Sequence, residues 1–302
     1  METRVGAAEW YRPGRPGSYD CAVQHRESKG QLMADEHSEV DQTRPSIARV
    51  YDYLLGGKDN YAVDRVIGDR FKYDLPGSVA IAHANRQALV RGVRTIALET
   101  GVRQFIDMGS GLPTADNVHQ VAQRHAPGSR VVYVDSDPIV LAHGRALLVQ
   151  NDDTRVIRGD IRDYEAIRHN PETTKLIDFD QPVAVVLSAV LHHLNDDENP
   201  NEVVAYWREQ VVPGSYVFIS HFRSGHNEET AEAERLLQET FGRGRWRTDE
   251  EIRDLFDGFE LLPPGVVQAS HWRPDEEADI PRIGQEASVW EQLIAAGLAV
   301  KR

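Results

Sequence analysis

The amino-acid sequence predicts an α/β protein built on a mainly parallel sheet with helices on both faces. Three observations predict it. Strand-like apolar segments alternate with helix-like segments from about residue 103 to residue 220. Residues 183–187, Val-Ala-Val-Val-Leu, form an unbroken apolar run, as a strand covered on both faces requires. The stretch Val102-Arg103-Gln104-Phe105-Ile106-Asp107-Met108-Gly109-Ser110-Gly111 passes from an apolar strand through an acid into a Gly-x-Gly turn, with helix-competent residues 112–121 behind it. Glycines at such a turn let a ligand touch the backbone at the carboxyl end of a strand.

The elements follow in order. Residues 1–40 are rich in Gly, Pro, Arg and Glu, include Pro13-Gly14-Arg15-Pro16-Gly17, and read as a flexible tail. Order is expected from Arg44-Pro45-Ser46. Ser46 is the expected cap of a helix through Ile47, Val50, Tyr51, Leu54 and Leu55, which Gly56-Gly57 stops. A second helix starts near Ala62, and a third covers 80–100, with Ala84, Ala88, Val93 and Ala97 at its small and apolar positions. Strands are predicted at 103–107, 130–134, 154–158, 182–188 and 214–220, and helices at 114–125, 137–149, 163–168 and 200–210. Asp137 caps the helix that Pro138 opens. A charged helix covers 228–240, and Thr248 with Glu251 forms the capping box of the next. Late strands are expected at 259–262, 266–270 and 287–290, and 274–280 reads as an acidic, solvated loop.

Two of these strands run into acids, Asp107 and Asp135, and a third segment ends on Asp160. Carboxylates at successive strand ends suit a ligand rich in hydroxyls and amines, not one rich in phosphates. The formal charge of −14 disfavours a nucleic-acid partner, which needs a basic face. The single cysteine, Cys21, allows no disulfide framework within one chain, which fits a reducing cytoplasm. With no apolar signal core and no membrane-length apolar run, the expectation is a soluble cytoplasmic protein of unassigned oligomeric state, without membrane partners.

The order of the acids, followed by an apolar strand before Ser188, resembles a class I S-adenosylmethionine-dependent methyltransferase. The likeness extends to Arg44-Pro45-Ser46-Ile47-Ala48-Arg49-Val50-Tyr51-Asp52-Tyr53-Leu54-Leu55-Gly56-Gly57-Lys58-Asp59-Asn60-Tyr61, which is similar to the N-terminal signature of one group of these proteins, the S-adenosyl methyltransferase family long known only as a domain of unknown function. Asp107-Met108-Gly109-Ser110-Gly111-Leu112-Pro113-Thr114, Val132-Tyr133-Val134-Asp135-Ser136-Asp137-Pro138 and Ala189-Val190-Leu191-His192-His193 resemble that family too. The resemblance covers about residues 42–300. It implies a Rossmann-like, seven-stranded sheet with a reversed final hairpin, an S-adenosyl-L-methionine-binding methyltransferase domain over 101–302 and a helical lid over 41–100.

By that resemblance Asp107, Gly109, Ser110 and Gly111 hold the methionine part and orient its amino group. Asp135, with Ser136 beside it, accepts the ribose hydroxyls; Asp160, followed by Ile161, reads the adenine amino group; Ser188 and Ala189 lie beside the sulfonium. Pro113 replaces the third glycine of the common pattern.

Further residues carry two readings each. Tyr51, Tyr53, Asn60 and Tyr61 either close a lid over the cofactor or pack their helix on the core. Arg86 either pairs with the cofactor carboxylate or forms a surface salt bridge. His192 and His193 follow the fourth strand, where acceptors lie in this fold, and either one of them serves as general base, or one caps or lines the pocket and the other faces solvent; His221 is a weaker candidate. Adjacent imidazoles diverge on a strand or a helix, so His192, His193, Asp196 and Asp197 predict no metal site. The function expected is methyl transfer to an oxygen or nitrogen of a small molecule. The alternative is a catalytically silent cofactor-binding regulator or partner subunit. A nicotinamide dehydrogenase is disfavoured, because the Gly-x-Gly-x-x-Gly pattern fails at Thr114.

Overall fold

The computed structural model describes residues 41–148, 152–225, 227–275 and 290–302. The tail expected at 1–40 and most of the acidic loop at 274–280 lie outside the described residues, as does the strand expected at 287–290 except for Trp290, which stands in a turn.

Eight strands form one sheet: β1 Gln104–Met108, β2 Arg130–Asp135, β3 Thr154–Arg158, β4 Ala184–Ser188, β5 Tyr216–Phe222, β6 Glu260–Leu261, β7 Val267–Gln268 and β8 Ile294–Val300. Their order is β3-β2-β1-β4-β5-β8-β6, with β7 also paired to β8. The first five are parallel, and β8 runs antiparallel between β5 and the short β6 and β7. This is the reversed final hairpin, but its long strand is 294–300. Ile-Ala-Ala-Gly-Leu-Ala-Val has little intrinsic strand preference; burial on both faces makes it a strand.

Ten helices cover the described residues: α1 Ile47–Leu54, α2 Ala62–Asp74, α3 Ser78–Glu99, α4 Val118–His125, α5 Pro138–Leu147, α6 Tyr164–His169, α7 Pro171–Leu176, α8 Pro200–Gln210, α9 Glu228–Phe241 and α10 Asp249–Asp254. The short α7 was not expected; Asn170 caps it through Glu172 N, and Pro171 opens it. Side chains alternate across the sheet. Phe105, Tyr133, Val186 and Phe218 face α3 and α4, whereas Ile106, Val132, Val185 and Ile219 face α6 to α8 and Trp207. By the same alternation Asp107, two residues after Phe105, projects toward the α3 face.

The contact of α3 with the sheet is unusually close. A Cβ on Gly92 would stand 2.6 Å from the Phe218 ring, so only glycine lets the two backbones approach this far. Seven residues earlier, on the same side of α3, Asn85 therefore reaches the carboxyl ends of β4 and β5.

Two buried aspartates order the chain from 44 to 64. Asp64 is fully buried, takes Arg49 Nε at 2.7 Å, and accepts the backbone N–H groups of Ser46 (3.0 Å) and Tyr61 (2.8 Å). Asp52 accepts Asp59 N at 3.0 Å and Asn60 Nδ2 at 2.8 Å. Ser46 stands at the N-cap position the sequence suggests, but its side chain makes no capping hydrogen bond. Its hydroxyl donates instead to Asp137, after β2, while Asp137 caps α5 through Ile139 N. The α1 segment is thereby tied to the sheet's carboxyl edge.

Removing one partner of a buried, hydrogen-bonded ion pair leaves the other charge uncompensated. Asp64→Ala is therefore expected to lower stability by about 3–5 kcal/mol in chemical denaturation, while Asp254→Ala, at the exposed end of α10, changes it by under about 0.5 kcal/mol.

Candidate functional site

The carboxyl ends of β1, β2 and β4 meet where the strand order reverses, on either side of β1. Open α/β sheets bind ligands at that switch point. Gly109 (φ 67°) and Gly111 (φ 65°) turn the chain out of β1 in the left-handed region. A Cβ on Gly109 would lie 2.4 Å from Val190 Cγ2, so the β1 and β4 loops touch there. Beside Gly111 nothing stands within 4 Å of a Cβ position, which leaves its backbone open to a ligand.

Asp107 ends β1 with 5 % of its surface exposed, and among the described residues no donor hydrogen-bonds its carboxylate. Burial raises its pKa to about 7; nearby Arg86 opposes the rise and Asp135 adds to it. Asp135 is also buried and its pKa is raised by burial, although its oxygens accept Gly111 N (2.9 Å) and Asp137 N (2.9 Å). Each Asp135 oxygen keeps a lone pair for a further donor. Arg86 is fastened by Nη2 to the carbonyls of Ala115 (3.2 Å) and Asp116 (2.9 Å), and its Nε is buried without a partner among the described residues. Among the described residues it forms no salt bridge.

Asp160 follows β3 but is already engaged: Arg162 grips both its oxygens and continues to Glu198 at 2.6 Å. That pairing holds the Asp160 pKa below the usual range. Ile161 is buried among the apolar side chains on the α6 to α8 face of the sheet, and Ser136 is exposed beside Asp135.

At the end of β4, Ser188 Oγ lies 3.1 Å from Ser220 Oγ, and Tyr51 OH accepts Asn85 Nδ2 at 2.9 Å while donating to Ala82 O at 3.0 Å. Tyr51 is thus joined to the strand ends. Tyr53 is not: its hydroxyl donates to Asp69 at 2.7 Å and its ring carries Lys72, both on α2. Asn60 and Tyr61 are also taken up locally, by Asp52 and by Arg49.

His192 and His193 do not diverge as adjacent residues on a strand would. They share a 3₁₀ turn, with ring centroids 4.2 Å apart. His192 is buried against Phe222 and His221, and burial holds its pKa well below the ordinary value. His193 Nδ1 has no partner among the described residues, and burial lowers its pKa to about 4. His221, lowered to about 3, accepts Arg247 Nη1 at Nε2 (3.1 Å) and so donates from Nδ1 to Phe222 O (2.6 Å). All three imidazoles are neutral near pH 7. Among the described residues no group of three or more His, Cys, Asp or Glu side chains could hold a metal ion, and no helix is long and apolar enough to cross a membrane.

The sequence places Asp107, Asp135 and the glycine turn at one strand-end edge but does not single out Asn85 and Ser220, which the fold brings to the same edge. A polar amide on the apolar side of a helix, two turns before a glycine, was the available signal for Asn85.

The family model described as S-adenosyl methyltransferase matches residues 33–302. A crystal structure from Thermobifida fusca YX, of a protein to which methyltransferase activity is provisionally ascribed, is 45 % identical, with a TM-score of 0.82 over 87 % of this chain and 97 % of that one. A DUF574 family protein from Streptomyces avermitilis MA-4680 is 34 % identical, with a TM-score of 0.82 over 87 % of this chain and 100 % of that one. No curated protein matches the chain.

Because the folded pKa of Asp107 stands near 7, the fold favours the protonated acid. The stability this gives is fully present below the ordinary carboxylate range and is lost as pH rises through about 7. Asp107→Asn, which keeps the shape without the charge, is expected to match the parent near pH 4 and to exceed it at pH 8 by about 2–4 kcal/mol in chemical denaturation.

Proposed function

The chain belongs to the S-adenosyl methyltransferase family, and from that premise we propose that it transfers a methyl group to an oxygen or nitrogen of a small molecule, using the crevice at the ends of β1, β2 and β4. The chain is an S-adenosylmethionine-dependent methyltransferase, and S-adenosylmethionine is its cofactor. The observation that carries the site assignment is the Asp107 carboxylate, buried at the end of β1 with no donor among the described residues and Asp135 next to it. A buried acid of this kind is suited to an ammonium group.

The donor set fits the cofactor. Asp107 takes the amino group, and Arg86, with its unpartnered Nε, faces the carboxylate of the same amino acid. The free lone pairs of Asp135 take the ribose hydroxyls. Gly111 offers open backbone at the turn that Gly109 and Ser110 shape, Ser136 and Ile161 flank the nucleoside, and Ser188 stands at the reacting end. Asp160 reads the adenine amino group once Arg162 shares it. Tyr51, and Tyr53 through α2, belong to a lid formed within 41–100 by α1 and α2, which the Ser46–Asp137 and Asp59–His143 contacts (3.4 Å for the latter) draw over the β2 edge, while α3 stays packed on the sheet.

Bound there, the cofactor supplies an electrophilic methyl on a sulfonium. Holding the acceptor in line with it is the protein's main contribution. Of the two histidines, His193 is the candidate base: its neutral Nδ1, buried in the free protein, has no hydrogen-bond partner among the described residues and takes the acceptor's proton once the acceptor reaches it, while His192 is buried edge-on against Phe222 and His221. The charge of −14 works against a polyanionic acceptor, which supports a small molecule.

Calorimetry tests the reading. Asp135→Ala is expected to abolish binding of S-adenosylmethionine; unchanged binding would contradict the assignment. Only ionised Asp107 attracts an ammonium, so affinity is expected to rise about eightfold from pH 6 to pH 7.5, and Asp107→Asn is expected to bind weakly with no such rise.

A further inference from the structure

We propose that Asn85 is a positioning residue that sets the width of the cofactor crevice through Ser220. The inference rests on the site assignment above and adds a residue whose amide oxygen and nitrogen are both taken up by protein groups.

Asn85 is 4 % exposed and Ser220 fully buried. Ser220 Oγ donates to Asn85 Oδ1 at 2.5 Å and accepts Ala189 N at 2.9 Å. Ala189 N also bonds Ser220 O at 3.1 Å. Both bonds converge on a residue in an unfavourable conformation: Ala189 has φ 52°, in the left-handed region that a Cβ disfavours. Such a conformation persists only where surrounding groups impose it. Asn85 fixes the Ser220 hydroxyl by taking its proton, and the hydroxyl is then oriented with a lone pair toward Ala189 N–H. The left-handed turn at Ala189 aims Val190 at Gly109, where only the missing Cβ leaves room. The separation of the β1 and β4 loops, which bound the switch-point crevice, is thus set by a contact that begins on α3.

The other end of Asn85 holds α1. Its Nδ2 donates to Tyr51 OH at 2.9 Å, so one amide joins the N-terminal helices to the strand ends. Ser188 Oγ completes the group, 3.1 Å from Ser220 Oγ and 3.5 Å from Asn85 Oδ1. A residue that merely filled space here would need no directed donor and acceptor on opposite ends.

The test uses the full chain with Asn85→Ala, Ser220→Ala and the double variant, measured by calorimetry with S-adenosylhomocysteine and by amide hydrogen exchange without ligand. Each single variant is expected to weaken binding about tenfold and to speed exchange at Ala189 N–H, with the double variant no worse than either single one. Ser220→Ala removes one oxygen, so it keeps the test open should Asn85→Ala fail to fold. Binding within twofold of the parent, or additive losses in the double variant, would overturn the proposal. Asp135→Ala measured alongside separates the two readings: if it binds normally, the site assignment fails; if it does not bind while Asn85→Ala does, only the positioning role fails.

Discussion

The site depends on one desolvated charge. Asp107 lies at the end of a central strand, where neighbouring strands and α3 exclude water, and the described protein supplies it with no hydrogen-bond donor. Folding therefore bears the cost of a buried acid, seen as a pKa raised to about 7. Asp135, one strand away, makes the ionised state less favourable still. A ligand that brings positive charge and hydroxyls to this edge relieves both. In the proposed site, stability of the free protein is traded for affinity.

The rest of the molecule holds that edge in place. Gly92 lets α3 settle against Phe218, and the same helix then presents Arg86 near Asp107 and Asn85 at Ser220. Its close packing thus brings a charge and a directed amide to adjacent strand ends. The left-handed Ala189 and the contact between Val190 and Gly109 complete the wall. From the N-terminal side, Asp64 and Asp52 order the segment that reaches Asp137 through Ser46 and Asn85 through Tyr51.

Much of this was legible in the sequence, for reasons specific to each element. β1 to β5 are apolar and each is followed by a turn and a helix, a local pattern that needs no tertiary information. Asp107, Asp135 and the glycine turn stand out because acids and glycines break apolar strands at their ends. β8 was missed because its alanines and glycine carry no strand signal until β5, β6 and β7 flank it. Ser46 holds the N-cap position its sequence context suggests, but its hydroxyl serves Asp137, 91 residues away, a partner no local pattern announces. The side-by-side histidine rings follow from a 3₁₀ turn that no periodicity announces. Asn85 could be suspected as a polar residue on a buried helix face, but its partners on α1, β4 and β5 appear only in the fold.

The central claim, that Asp107 is a buried acid matched to a cationic ligand, is tested most directly by carbon-detected NMR titration of its carboxyl with and without S-adenosylhomocysteine. The account predicts a pKa near 7 in the free protein that falls by at least about one unit when the ligand binds. A pKa in the ordinary carboxylate range, or one that the bound ligand leaves unmoved, would contradict it.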